Sequence, residues 1–203
     1  MAALDPADAP PAASAMVHVL CGGYITDDGD RVASTVSLIR DGDTLVVVDP
    51  GMVASPRAIL APLEQLGVRP GDVTDVVFSH HHPDHTLHAA LFEAARFHDQ
   101  WAIYQGDRWV SRDAEGYELT PSIRLLETPG HTPQDITTLA GTAEGVVAFT
   151  HLWWSLEGPA EDPYATDPAA LHAGRQRVLA IEGVSLIVPG HGPAFTPDAG
   201  TPR

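Results

Sequence analysis

The stretch that most constrains how this chain folds is residues 75–85, where Asp75-Val76-Val77-Phe78-Ser79 runs without a break into His80-His81-His82-Pro83-Asp84-His85. The first five residues read as a short buried strand. A strand that delivers four imidazoles and a carboxylate at its end points to a site, since strand ends in layered α/β folds are where sites are built; a solvated polar turn is the alternative, and an expression tag is disfavoured by the internal position. His80 and His82 stand at i and i+2, so in extended backbone they point to the same face. Asp84 and His85 follow the turn at Pro83 and can face them from the other side. Neutral imidazole and carboxylate are ligands suited to Zn(II), Fe(II) or Mn(II).

Composition narrows the alternatives. The chain has 203 residues, 11 histidines and one cysteine, Cys21, and all 11 of its basic residues are arginine. One thiol excludes an internal disulfide, a thiolate zinc finger and an iron–sulfur cluster held within the chain. No lysine is present for a Schiff base or a phosphate loop. With 27 acidic residues and a net charge of −16, nucleic acid is a disfavoured partner. No window approaches the roughly 20 apolar residues of a membrane span, and the start lacks the features of a secretory signal. The expectation is a cytoplasmic protein acting on a small molecule, with no membrane partner and homo-oligomerisation left open.

Residues 32–40 and 44–48 read as a hairpin turning at Asp41-Gly42-Asp43. Ser55-Pro56 supplies a cap and first turn for a helix ending near Leu66-Gly67, and Asp167-Pro168 does the same for a helix running to about Glu182. Further strands are expected at 101–104, 123–127, 136–140, 146–149 and 185–188. The order suggests one α/β domain with two sheets over residues 16–196. Residues 1–15 read as a disordered Ala/Pro tail and residues 197–203 as loose. Three further histidines each follow an expected strand: His131 in Pro129-Gly130-His131-Thr132, His151 in Phe149-Thr150-His151-Leu152, and His191 in Pro189-Gly190-His191-Gly192. Strand ends in layered α/β folds are where sites are built, and these groups converge on one edge.

Four motifs, spread over residues 17–196, resemble those of the metallo-β-lactamase-fold hydrolases. They are Val48-Asp49-Pro50-Gly51, His80-x-His82-x-Asp84-His85, Pro129-Gly130-His131-Thr132 and Pro189-Gly190-His191-Gly192. The run Gly67-Val68-Arg69-Pro70-Gly71-Asp72-Val73-Thr74 is similar to an animal branch of that family linked to RNA cleavage. The resemblance implies a four-layer αββα sandwich. It also implies a first metal on His80, His82 and His131, a second on Asp84, His85 and His191, and an Asp49 carboxylate that orients a ligand histidine; an Asp that merely starts a Pro-Gly turn is the alternative. Two zinc ions per chain are implied, with iron or manganese as alternatives, and a metal-bound hydroxide would attack the substrate. Asp84 then serves as the catalytic proton acceptor or donor.

One position breaks the pattern: where the family usually has an Asp bridging both metals, this chain has His151. An imidazole offers one lone pair at a time, whereas a carboxylate can span two cations. The first reading is a ligand to one metal, with a hydrogen bond to substrate or water, or simple packing, as alternatives. Trp153 and Trp154 follow directly and are expected to wall the substrate pocket. Trp101, Tyr104 and Trp109 are expected in the core, His81 pointing away from the metals, and His88 and His98 in hydrogen-bonding roles. Residues 152–167 look like a long acidic lid (Glu157, Glu161, Asp162), which suits small neutral or apolar esters, lactones or amides. Other readings are a single-iron enzyme of the persulfide dioxygenase type, a nuclease, and a degenerate metal-binding protein.

Overall fold

The computed structural model describes residues 5–203. Strands β1 (Met16–Cys21), β2 (Tyr24–Ile25), β3 (Val32–Ala33), β4 (Val36–Asp41) and β5 (Thr44–Val48) precede helix α1 (Arg57–Gln65). Then come β6 (Asp75–Val77), the one-turn helix α2 (Pro83–Thr86), β7 (Arg96–His98), β8 (Ala102–Gln105), β9 (Arg108–Ser111) and β10 (Glu118–Thr120). β11 (Ile123–Glu127), β12 (Ile136–Thr142), β13 (Gly145–Thr150), α3 (Pro168–Ala180) and β14 (Val184–Pro189) complete the chain. One sheet has the order β1-β4-β5-β6-β7-β8-β9 and the other β10-β11-β12-β13-β14, with β2 and β3 forming a separate two-stranded ribbon.

The layers follow from period-two alternation. Along β5, Val46 and Val48 face the second sheet, where they meet Ile123, Leu125, Ile136, Val147 and Phe149. Leu45 and Val47 face the opposite way, onto Ile59 and Leu63 of α1. The outer face of the second sheet, through Val146, Ala148 and Ile187, packs on Leu171 and Val178 of α3. The result is helix, sheet, sheet, helix: the four-layer sandwich expected from the motifs. The hairpin turns at Gly42, whose φ of 59° is the left-handed region that glycine tolerates.

Several boundaries differ from the sequence expectation. The expected strand 32–40 is broken into β3 and β4, and Pro56 rather than Ser55 caps α1. β1, an edge strand paired with β4, was not anticipated. The tail reading also needs correction: residues 1–4 lie outside the described region, but from Asp5 onward the chain packs against the sandwich. Arg124 donates to the carbonyls of Pro6 and Ala9 at 3.2 and 2.6 Å, and Arg177 pairs with Asp8 at 2.7 Å. At the other end Thr201 is buried, and Trp153 Nε1 donates to the Pro202 carbonyl at 2.8 Å. Composition missed these contacts because the grip comes from distant side chains, on backbone carbonyls and on the Asp8 carboxylate. Trp101 and Trp109 were expected in the core, but both are about half exposed; Trp109 closes a stack with Tyr104 and Phe97 at the sheet's edge.

β6 carries the cluster, and its first residue anchors it. Asp75 is fully buried; its carboxylate accepts from His98 Nε2 at 2.7 Å and from Arg96 at 2.8 Å. Burial pushes its carboxyl pKa up, but the bonds from His98 and Arg96 outweigh that and hold it below the usual carboxylate range. Asp75→Ala strands both partners. Because Arg96 is half exposed, the loss should sit at the low end of the range for a broken buried pair, about 3 kcal/mol by urea unfolding; a change under about 1 kcal/mol contradicts this role.

Candidate metal centre

Each sequence-expected ligand leaves the C-terminal end of a strand or the loop after it. β5 ends at Val48, and Asp49 then turns with a φ of 51°, a left-handed conformation that Asp accepts more readily than most residues. The turn sends its carboxylate back under the histidines. Oδ1 accepts from the Ser79 amide at 2.6 Å, and Oδ2 accepts from the Ser79 hydroxyl at 2.7 Å and from His85 Nδ1 at 2.8 Å. Gly51 allows the next approach: a Cβ there would lie 1.7 Å from the Asp84 carbonyl oxygen. The first motif thus fits against the second through the Asp49 carboxylate and the bare backbone of Gly51.

The hydrogen bonds settle which ring nitrogens are free. His85 Nδ1–H donates to Asp49, His131 Nδ1–H to Asp162 at 2.7 Å, and His191 Nδ1–H to the Ala33 carbonyl at 3.0 Å. The Ser79 hydroxyl, already donating to Asp49, accepts from His80 Nδ1 at 3.1 Å. In all four rings the Nε2 lone pair is therefore left aimed inward, in the manner of metal-bound imidazoles backed by an acceptor.

The inward nitrogens fall into two triads. His80 Nε2 and His131 Nε2 lie 3.0 and 3.1 Å from His82 Nδ1. Asp84 Oδ2, His85 Nε2 and His191 Nε2 form a triangle whose three sides are all 3.5 Å. Zinc–nitrogen bonds of about 2.0–2.1 Å in a tetrahedron place ligand atoms about 3.3 Å apart, so both triangles have the size of a divalent-cation face. Where these nitrogens are unprotonated, their lone pairs repel one another at such distances, and a shared cation relieves that repulsion. The donor set therefore fits the metals that the motifs imply.

His151 lies between the triads, fully buried. Its ring centroid is 4.5 Å from that of His80, 4.3 Å from His131 and 4.8 Å from His85, and its Nε2 is 3.1 Å from His191 Nε2. Gly190 makes room for it, since a Cβ there would sit 2.4 Å from the His151 ring. Unlike the others, the His151 Nδ1 has no hydrogen-bond partner.

Above the triads lies a cavity of about 450 Å³. His82, Asp84, His131, His151 and His191 contribute to its floor, and Ile25, Val32, Trp154 and Tyr164 to its walls. Trp154 and Tyr164 stack with centroids 5.8 Å apart. A second depression of similar volume, between Tyr24 and Pro159, shares the Trp154, Ile25 and His191 wall. Only half of the expected tryptophan pair belongs here. Trp153 is fully buried on the other side of the loop, packed near Phe195 and Arg175, because adjacent residues in extended chain point to opposite faces.

Three other histidines have structural partners. His81 turns away to Asp99 at 3.3 Å, His88 donates to the Gly51 carbonyl at 2.7 Å, and His98 serves Asp75. Asp162 was expected as an exposed lid charge; it is buried, accepting from His131, from Trp154 Nε1 at 3.2 Å and from the Tyr164 amide at 2.8 Å. Sequence reasoning missed Asp162, Tyr164, Ile25 and Val32 as site residues. They lie in an irregular loop and a two-residue-wide ribbon, where no periodicity or motif marks them.

The sequence profile of the Metallo-beta-lactamase superfamily matches residues 29–198, and the chain belongs to that family, as an enzyme of the metallo-hydrolase type. It is 33% identical over 190 residues to Metallo-beta-lactamase domain-containing protein 1 of Xenopus laevis, covering 88% of this chain and 80% of that protein. The human protein of the same name is 37% identical over 161 residues, covering 74% of this chain and 59% of its own length. Among solved structures, a quorum-quenching N-acyl homoserine lactone lactonase superposes with a TM-score of 0.65 at 20% identity, over 89% of this chain and 92% of that one. At that identity it supports the fold alone.

Electrostatics keep most of the cluster neutral. Burial, then the neighbouring imidazoles, pulls His80 and His151 well below the usual histidine pKa, and the same causes lower His191 to about 4. His85 is the exception: burial pulls it down, but the Asp49 charge and hydrogen bond outweigh that and raise it. These folded values set a pH dependence for the metal-free protein. Between about pH 6.5 and 4 the unfolded chain binds a proton that folded His191 refuses, and His80 and His151 act in the same direction, so stability falls as the pH falls, at up to about 1.4 kcal/mol per unit for His191. His85 acts above that window. Asp135, raised to about 6 by burial, offsets part of the loss as it protonates below pH 6. Urea midpoints of metal-free protein should drop from pH 7 to pH 5; a flat or rising profile contradicts the neutral cluster.

Proposed function

We propose that the chain is a two-metal hydrolase of small, neutral esters, lactones or amides with an apolar acyl part. The observation that carries this reading is the pair of lone-pair triangles, His80/His82/His131 and Asp84/His85/His191, on the floor of an apolar-walled cavity. Zinc suits the nitrogen-rich donor set, with iron or manganese as alternatives. Divalent cations bound there supply an activated water at neutral pH and polarise the scissile carbonyl.

The chain's own residues do the rest. Asp84 aims Oδ2 at His85 and His191, and its second oxygen is free to take the proton of the attacking water and return it to the leaving group. Trp154 and Tyr164, facing Ile25 and Val32, hold the acyl portion and exclude water from one side. The neighbouring depression takes the leaving group, since the two spaces share one wall. Asp49 fixes the tautomer of His85 from below. His151 gives its imidazole to the second triad: its Nε2 stands 3.1 Å from His191 Nε2, close to the spacing of two ligands on one ion. Acidic residues in the ribbon loop, Asp27, Asp28 and Asp30, weigh against polyanionic substrates. A single thiol fits a reducing compartment such as the cytoplasm without requiring one.

Protein purified without an affinity tag should hold two zinc or similar ions per chain. Chelation should abolish turnover of a lactone and aryl-ester series, re-addition should restore it, and kcat/KM should rise with acyl length. One iron per chain would point instead to an oxygenase, and a protein that takes up no metal would end the catalytic reading. His151→Asp, which adds a carboxylate able to span both triads, should raise second-ion retention under dialysis. Unchanged or lower retention would show that His151 is not at that junction.

A further inference from the structure

We propose that Asp162 is the positioning residue of the first metal site, and that through it the 152–167 loop is a fixed part of the metal centre and not a lid over it. This rests on the metal-dependent reading above. Each triad has one imidazole backed by a buried carboxylate: Asp49 behind His85 in the second, Asp162 behind His131 in the first. The second triad also contains a carboxylate, Asp84. The first consists of three imidazoles, so Asp162 is the anionic group that touches it. At 2.7 Å the His131–Asp162 separation is that of a charge-assisted hydrogen bond, shorter than the spacing of about 3.3 Å between two ligands of one tetrahedral ion. Asp162 therefore holds the imidazole and not the ion.

The loop that carries Asp162 is anchored from both sides. Arg175 of α3, fully buried, donates to the carbonyls of Leu152 at 2.8 Å, Pro159 at 3.1 Å and Ala160 at 2.6 Å. The amides of Thr166 and Asp167 donate to the carbonyls of His131 and Gly130 at 3.1 and 2.9 Å. Asp162 closes the connection by accepting from Trp154 Nε1 on the cavity wall with the same oxygen that receives His131. The wall that would meet substrate and the ring that would meet metal thus share one carboxylate oxygen.

The test separates the two sites. In a His191→Ala background only the first triad remains, and in a His82→Ala background only the second. Zinc affinity is read by competition with a chromophoric chelator, and Co(II) substitution reports the ligand field. Asp162→Ala should weaken zinc about 10–100-fold in the first background and leave the second within about twofold. Asp162→Asn, which keeps an acceptor but loses the charge, should fall between and shift the Co(II) bands of the first site alone; it also serves if the alanine variant fails to fold. Trp154→Phe removes only the 3.2 Å bond and should leave zinc affinity within about twofold. Equal losses in both backgrounds, or none in either, would overturn the inference. If the unsubstituted chain takes no zinc, the metal-dependent reading fails first, and that result is distinct.

Discussion

The site answers to one electrostatic demand: six imidazoles and a carboxylate are gathered with neighbouring donor atoms 3.0–3.5 Å apart. Such a cluster holds its geometry only where its rings are fixed from behind, and four of the six have such a backing. Asp49, Asp162, the Ser79 hydroxyl and the Ala33 carbonyl supply it, and those four groups come from four separated stretches of chain. The double-sheet architecture brings those stretches to one edge. Burial then serves chemistry as well as packing, because desolvation keeps most of the rings neutral and able to donate electron pairs.

The parts of this arrangement that the sequence disclosed are those governed by short-range rules. His80, His82, Asp84 and His85 were legible because extended backbone and a proline turn dictate where side chains at those spacings point. Asp49, His131 and His191 were legible as motifs after strands. β1, the divided strand at Val32, and the packed ends escaped because their stability is tertiary. Arg124 and Arg177 bind residues more than a hundred positions away, and nothing local in an Ala/Pro stretch announces such a contact. Trp153 and Trp154 show a subtler limit: position put both at the site, but alternation sends one into the core and one into the cavity.

The balance of charge also reads differently in three dimensions. Glu157, Glu161 and Asp162 suggested an acidic lid that repels anions, yet Asp162 is buried against His131. Its negative charge is directed at the metal face and not at the solvent. Asp75 is likewise consumed by Arg96 and His98 beneath the cluster. Formal charge is thus a poor guide to the field at this cavity, whereas the pairing of each buried carboxylate is a direct one.

The Arg175 anchor has an evolutionary meaning. It grips main-chain oxygens of Leu152, Pro159 and Ala160, and among the side chains between them it stacks over the Trp153 ring. Exposed side chains on that segment, such as Glu157 and Glu161, can be exchanged without loosening the tether, whereas buried Leu152, Trp153 and Asp162, and Gly158 with its positive φ, cannot. A lineage carrying this loop is therefore free to retune what its cavity accepts, one wall residue at a time, while the liganding geometry beneath stays constant.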